Sequence, residues 1–162
     1  MTLKKIFIAS DHAGFELKKK LIEFLTKELK HEVVDVIDVV DVGPYAYDKN
    51  DDYPDYVISC ARKVARNENT DAVGIVIGGS GQGEAIAANK VKGIRAVVYY
   101  GGDKKIIILS KEHNDANVLS LGARFMSTRK AKNVVELWLE TKFLNEARHV
   151  RRIEKIKRFE GR

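Results

Sequence analysis

The chain has 162 residues, of which 44% are hydrophobic and two are proline, so it suits one domain with a single core and is too apolar for a disordered protein. No apolar run approaches the roughly 20 residues of a membrane span, and the N-terminal segment has too few apolar residues for a secretion signal. The formal net charge is +6 and the single cysteine is Cys60. A single cysteine allows no intramolecular disulfide and no Cys-x-x-Cys metal pair. It also favours a cytoplasmic location.

Apolar runs rich in Val and Ile predict five buried parallel strands, at 6–9, 33–40, 72–77, 94–100 and 118–121. Helical stretches alternate with them. The first is 14–29, where Leu17, Leu21, Phe24 and Leu25 recur at helical spacing, and the others are 55–67, 84–90, 103–112, 128–139 and a basic C-terminal helix within 146–162. This alternation predicts one domain over 1–162, with a three-layer α/β/α Rossmann-like fold and a five-stranded parallel sheet.

The expected strand order places a ligand site. In the flavodoxin-like order 2-1-3-4-5, ligands bind beyond the carboxyl ends of strands one and three, where the order reverses. The loop after strand one contains Asp11 and His12, and the loop after strand three is glycine-rich, with the sequence GGSGQGE over 78–84. We therefore expect these loops to meet. The segment 43–56 is the one long loop; its acids are expected to be solvated, and its aromatic residues make it a candidate lid.

The glycine-rich loop differs from a nucleotide-binding loop at its end. Gly78 and Gly83 align with the pattern G-x-x-x-x-G-K-[ST], but Glu84 and Ala85 stand where the last two residues belong. The glycines let backbone N–H groups form a concavity at a helix N-terminus, and Ser80 adds a hydroxyl. Glu84 either complements the helix dipole or accepts a proton from a ligand.

Two histidine positions also have two interpretations. Asp11 and His12 are either a helix cap followed by an incidental histidine or a ligand contact opposite the glycine-rich loop. His113 and Asn114 follow a helix, where a protonated histidine complements the C-terminal dipole or serves as an acid or base. His31 has no partner in the sequence pattern, so we expect no function for it.

The C-terminal helix carries much of the positive charge. Residues 146–162 contain seven Lys/Arg and three acidic residues. Arg148 and Arg152 lie four residues apart on one face, where they either bind one phosphate together or remain solvated. No aromatic-interleaved basic pattern favours nucleic acid, so we expect no nucleic-acid partner.

Together, a carboxylate, backbone donors, a second histidine and several arginines are typical of a site that moves a proton beside the carbonyl of a phosphorylated substrate. The segments SDHAGFELK, DYP, the glycine-rich loop leading into IAANKVKGIRAVV, KEHNDANVLSLGAR and ARHVRRIEKI resemble, in order and spacing, the type B ribose-5-phosphate isomerase family. That family also contains galactose-6-phosphate isomerase subunits, and the resemblance covers 6–156. It implies a homodimer, or a dimer of such dimers, with shared active sites, and cofactor-free, metal-free interconversion of D-ribose 5-phosphate and D-ribulose 5-phosphate in the pentose phosphate pathway.

The resemblance also implies roles for individual residues. Glu84 is the base that forms an enediolate, and the loop with Ser80 holds its oxygen. His113 assists ring opening. The implied substrate contacts are Asp11, His12, Tyr53, Gly79, Gly81, Gln82, Gly83 and Asn114, with Arg124, Arg148 and Arg152 binding the phosphate. One branch of the family has a catalytic cysteine where this chain has Gly78, and this chain is similar to the other branch, in which the base is the glutamate.

Two features leave alternatives open. The segment 36–52 is longer than we expect for the family, and nothing in the sequence states the length of the sugar. Isomerisation of a tetrose 4-phosphate, or of allose or galactose 6-phosphate, is therefore an alternative. A non-catalytic phosphosugar-binding protein on the same fold is another.

Overall fold

The computed structural model describes residues 3–29, 36–68 and 70–161. Its five strands are β1 (Leu3–Ser10), β2 (Val36–Asp41), β3 (Ala72–Gly78), β4 (Ala96–Tyr99) and β5 (Val118–Gly122). Its α-helices are α1 (Phe15–Glu23), α2 (Tyr53–Arg66), α3 (Gln82–Asn89), α4 (Lys105–Glu112), α5 (Thr128–Glu140) and α6 (Ala147–Glu160). A π-helical turn, Phe24–Glu28, continues α1. His31 and the predicted start of the second strand at 33–35 lie outside the described residues.

The predicted fold class is confirmed, with one correction to the strand order. The sheet is entirely parallel, but its order is β2-β1-β3-β5-β4 rather than 2-1-3-4-5. All five residues of β5 are buried, whereas three of the four in β4 are only half-buried. A strand flanked on both sides must bury its whole length, so β5 takes the inner position and β4 becomes the edge. The reversal between β1 and β3 stands as predicted.

Two apolar layers cover the sheet. One face packs against α1, α4 and α5, with Leu21, Ile107 and Trp138 in its core. The other face packs against α2 and α3, with Val57, Cys60 and Ala88. The thiol of Cys60 is fully buried and donates to the carbonyl of Phe7 at 3.4 Å. Burial raises its pKa to about 12, so Cys60 is a core residue rather than a nucleophile.

No helix in the described part of the chain combines the length and the apolar character that crossing a bilayer requires.

The connection between β2 and α2, which we call the 42–52 loop, is a long irregular segment. It begins beside the end of β1, because Ser10 donates its N–H to the carbonyl of Gly43 at 3.1 Å. This placement brings the loop to the carboxyl edge of the sheet.

Candidate active site

The loops after β1 and β3 meet at the carboxyl edge of the sheet, as the sequence predicted. The N–H of Asp11 donates to the carbonyl of Ile77, at the end of β3, over 3.2 Å. The buried side chain of Asp11 accepts the N–H groups of Ala13 at 2.9 Å and Gly14 at 3.2 Å. Asp11 therefore shapes its own turn and places its negative charge beside the glycine-rich loop.

The glycine-rich loop is held from beneath by the end of β5. Gly81 has a φ of +79° and leads directly into α3, a conformation that favours glycine. The hydroxyl of Ser120, which is fully buried, donates to the carbonyl of Gly81 at 2.6 Å. The N–H of Arg124 donates to the carbonyl of Gly79 at 3.1 Å. The loop is therefore a fixed cradle that leads into the first turn of a helix, where backbone N–H groups have no intrahelical acceptor.

Glu84 is a buried carboxylate in this cradle. Glu84 is 4% exposed, and its carboxyl group lies against the Cα of Gly78. A Cβ atom on residue 78 would overlap that carboxyl group. Burial raises the pKa of Glu84, the nearby charge of Asp11 raises it further, and the N–H of Glu84 itself partly opposes the shift. A carboxylate that is hard to keep ionised is a stronger base, which is the property that proton abstraction needs.

Other predicted contacts surround the loop. The ring of Tyr53 lies against Gly83, where a Cβ would come within 2.6 Å of its Cζ, and the guanidinium group of Arg124 covers Gly79. The hydroxyl of Ser80 accepts the N–H of Gln82 at 3.3 Å. An aromatic hydroxyl, a serine hydroxyl and a guanidinium group therefore border the glycine-rich loop that leads to Glu84.

His12 is held by a residue that sequence reasoning missed. Its Nδ1 lies 2.7 Å from Oδ1 of Asp51, which also accepts the N–H of His12 at 3.0 Å. The side chain of Asp51 is 3% exposed, that of His12 28%. The expectation that the acids of this loop are solvated is thus wrong for Asp51. Its position in an acidic run gave no signal, because burial here depends on how the loop folds back.

The remaining predicted residues lie at the opposite edge of the sheet. Helix α4 returns the chain to the amino ends of the strands, and His113 and Asn114 follow it. Nε of Arg95, just before β4, donates to the carbonyl of Asn114 at 3.0 Å. The sheet therefore separates His113 and Asn114 from Glu84 within one chain.

Helix α6 lies beside this second group. The rings of His113 and His149 are stacked, with 4.2 Å between their centroids and an angle of 14° between their planes. His149 is buried, and burial lowers its pKa. The nearby charges of His113 and Arg148 lower that pKa further. Nε of Arg148 donates to Glu146 at 2.9 Å, and Arg148 and Arg152 are exposed. The phosphate-binding arginines predicted on α6 thus accompany His113, whereas Arg124 accompanies Glu84.

One cluster has side chains that metals also use. Among the described residues, Asp11, His12 and Asp51 each bring one ligand atom within 4.8 Å of the others. Oδ1 of Asp51 is already bonded to His12, and Oδ1 of Asp11 accepts two backbone N–H groups. The Oδ1 atoms of both carboxylates are therefore already engaged in hydrogen bonds within the protein.

The fold and the site define a doubly wound α/β protein with a buried carboxylate at a glycine-rich helix N-terminus. The family described as Ribose/Galactose Isomerase matches residues 6–156, and the chain belongs to that family. It is 36% identical, over 99% of its length and 92% of the relative's, to ribose-5-phosphate isomerase B of Mycobacterium tuberculosis strain H37Rv.

Solved structures agree with this assignment. Ribose-5-phosphate isomerase B from Mycoplasma genitalium with bound ribulose-5-phosphate superposes with a TM-score of 0.85 at 41% identity, covering 99% of this chain and 98% of that one. The type B ribose 5-phosphate isomerase of Trypanosoma brucei gives a TM-score of 0.84 at 38% identity, with coverage of 98% and 99%.

Proposed function

We propose that this protein is an aldose–ketose isomerase that interconverts D-ribose 5-phosphate and D-ribulose 5-phosphate. The observation that carries the proposal is the buried carboxylate of Glu84, with its raised pKa, inside a glycine-rich cradle. Relatives that match nearly the whole chain and are named for this reaction support the choice of substrate.

The reaction needs a proton to move between two neighbouring carbons. In the open-chain aldose, Glu84 takes the proton from C2; the C–H electron pair forms the C1–C2 double bond, and the negative charge passes to the oxygen on C1. Return of the proton to C1, with transfer of the hydroxyl proton from O2 to O1, gives the ketose. Backbone N–H groups of the loop and the hydroxyl of Ser80 stabilise the enediolate oxygen, and no metal or cofactor takes part.

Substrate contacts follow from what borders the carboxylate. Asp11, His12 and Tyr53 contact the sugar, as do the backbone groups of Gly79, Gly81 and Gly83 and the side chain of Gln82. Arg124 is the one phosphate-binding arginine that lies beside the loop in the same chain. Arg148 and Arg152 complete the phosphate site, and His113 and Asn114 supply ring opening and a hydroxyl contact.

The residues at the amino ends of the strands, His113 and Asn114 with the arginines of α6, must reach Glu84 from another subunit. The proposal therefore includes a homodimer with shared sites. His113 and Asn114 lie at the opposite edge of the sheet from Glu84 within one chain. Exposed apolar side chains, at Ile86 on α3 and at Tyr100 and Phe125 beside the site, flank the edge strand β4. A two-fold partner that covers this surface would bury it and bring its own His113 to Glu84.

The biological setting is part of the same proposal. An enzyme that interconverts these two pentose phosphates acts in the pentose phosphate pathway. A cytoplasmic location accords with the free, buried thiol of Cys60, because such thiols suit a reducing compartment.

A coupled assay of the purified protein against four-, five- and six-carbon sugar phosphates, run with EDTA present, tests the proposal. We expect turnover to be fastest with ribose 5-phosphate and unaffected by the chelator. Faster turnover of a tetrose or hexose phosphate would reassign the substrate. Binding without any turnover would instead indicate a phosphosugar-binding protein.

A further inference from the structure

The 42–52 loop is fastened at its start by a buried lysine. Lys18 on α1 is 1% exposed, and its Nζ donates to Asp41 at 2.7 Å and to the carbonyl of Pro44 at 2.6 Å. Oδ1 of Asp41 also accepts the N–H of Gly43 at 2.9 Å. A buried ammonium group is stable only when such partners satisfy it. The position of Lys18 therefore determines where the loop leaves the sheet.

At its far end the same loop contacts the ring of His12. Oδ1 of Asp51 lies 2.7 Å from Nδ1 of that ring and accepts the backbone N–H of His12, and the centroid of the Tyr47 ring lies 6.4 Å from that of the imidazole, with the two rings edge-to-face. Oδ2 of Asp51 is buried without a hydrogen-bond partner in the described structure. A carboxylate placed so deeply is costly unless its one strong interaction, with His12, compensates for its lost hydration.

We propose that Asp51 is a positioning residue for His12, and that Lys18 holds the loop where this contact can form. An ionised carboxylate only accepts hydrogen bonds, so Nδ1 of His12 must carry a proton and Nε2 is left to face the substrate. The pair thus fixes both the ring orientation and the tautomer. The inference rests on the proposed function, in which His12 contacts the sugar phosphate.

The tautomer can be read without any activity. In ¹⁵N-histidine spectra of the ligand-free protein, with His12 assigned by its loss in His12→Asn, we expect a protonated Nδ1. Asp51→Ala should remove that signature, whereas Asp51→Asn, which keeps an acceptor oxygen, should retain part of it. Asp52→Asn is the matched control, since Asp52 is the exposed neighbour and makes no capping bond. An unchanged His12 signal in Asp51→Ala would overturn the proposal.

Kinetics distinguish positioning from direct contact. Asp51→Ala should lower kcat/KM by about 10- to 100-fold, as loss of an orienting partner does elsewhere. In the double variant with His12→Ala it should cause no further loss, because Asp51 acts through His12. Additive losses would overturn the positioning role. A wild-type protein without isomerase activity would contradict the proposed function alone, since the tautomer measurement would still stand.

The role of Lys18 is tested with a neutral side chain of similar length. Lys18→Met should lose the protonated-Nδ1 signature and make 42–52 more sensitive to proteolysis, while the exposed neighbour variant Lys20→Met should behave as wild type. If Lys18→Met does not fold, Asp41→Asn serves as the second variant, because it weakens the same contact and leaves Lys18 bonded to Pro44. A normal His12 signal in the folded variant would show that the loop needs no such anchor.

Discussion

At the scale of single residues, Glu84 is the first position to test. Gln is nearly isosteric with Glu and keeps the shape of the loop, but it cannot accept the substrate proton. We expect Glu84→Gln to lower kcat by about 10²–10⁴, equivalent to roughly 3–5 kcal/mol of barrier, with near-normal substrate binding. Steady-state kinetics and calorimetric binding to the folded variant measure both quantities. Normal turnover would remove Glu84 from the role of base.

The same substitution should raise stability in a pH-dependent way. The pKa of Glu84 is raised in the folded state by burial, so protonated Glu84 favours folding below about pH 4.3, the unfolded value, and this advantage is lost as pH rises through the folded pKa. Gln stays neutral throughout. We therefore expect Glu84→Gln to melt at a higher temperature than wild type near pH 8, with the difference shrinking toward pH 4.5.

Glu16→Gln, at an exposed glutamate of α1, is the matched control for the melting series and should show no comparable gain. A Glu84→Gln variant no more stable than wild type at pH 8 would mean that the buried carboxylate is better solvated than its surroundings indicate. Such a trade of stability for activity is typical of buried catalytic groups.

Gly78 leaves the space that the carboxyl group of Glu84 occupies. Because a Cβ there would overlap the carboxyl group of Glu84, Gly78→Ala should displace the base and lower kcat by at least about 10². The steric cause can be isolated by measuring free energies of unfolding in a double-mutant cycle. Gly78→Ala should cost less stability in a Glu84→Ala background, with a coupling of about 0.5–3 kcal/mol. Full activity in Gly78→Ala would show that the carboxylate does not depend on this space.

At the scale of elements, the C-terminal helix α6 supplies charge to the proposed phosphate site. Loss of one charge-assisted contact costs about 1.5–3 kcal/mol, so Arg148→Ala and Arg152→Ala should each raise KM by roughly 10- to 100-fold. If the contact is equally strong in the ground and transition states, kcat stays the same. Arg151→Ala, at an exposed neighbour on α6, is the control and should leave KM unchanged. An unchanged KM in Arg152→Ala would return that residue to the solvated face.

Some features of the strands and loops were predictable from the sequence, and others were not. Strand identity and the meeting of the loops after β1 and β3 were predictable, because runs of Val and Ile and the glycine-rich turn are local signals. The exchange of β4 and β5 was not, since it depends on which strand can be buried on both sides, and both read as apolar runs. Asp51 and Lys18 were missed for a related reason. A charged residue looks solvated in sequence, and only the folded 42–52 loop shows that each of these two side chains is buried and paired with an opposite or hydrogen-bonding group.

At the scale of the whole molecule, the two groups of candidate site residues lie at opposite ends of the sheet. One chain holds Asp11, Ser80, Glu84 and Arg124 at the carboxyl edge of the sheet, and His113 with α6 at the amino edge. Parallel strands put all their carboxyl ends on one side, so no local rearrangement of a loop can join the two groups. The proposed two-fold assembly would solve this geometry, because each subunit would offer its amino edge to the carboxyl edge of its partner.

This arrangement predicts complementation between two inactive variants. In a mixed dimer of Glu84→Gln and His113→Ala subunits, one site receives both lesions and the other receives neither. After equal mixing and full subunit exchange, about half of the dimers are mixed, so roughly one quarter of all sites should regain wild-type activity. The measurement is kcat before and after exchange, with exchange followed by native mass spectrometry of isotope-labelled subunits.

The control for this experiment uses two lesions on the same edge. Glu84→Gln mixed with Asp11→Asn should recover nothing, because each site of the mixed dimer takes Asp11 and Glu84 from a single subunit and therefore always contains one lesion. Recovery in the first mixture and not in the second is the pattern that shared sites require. Equal recovery in both mixtures would indicate instead that the two subunits of a mixed dimer stabilise each other's fold. Verified exchange without recovery would mean that His113 serves the site of its own chain or no site at all.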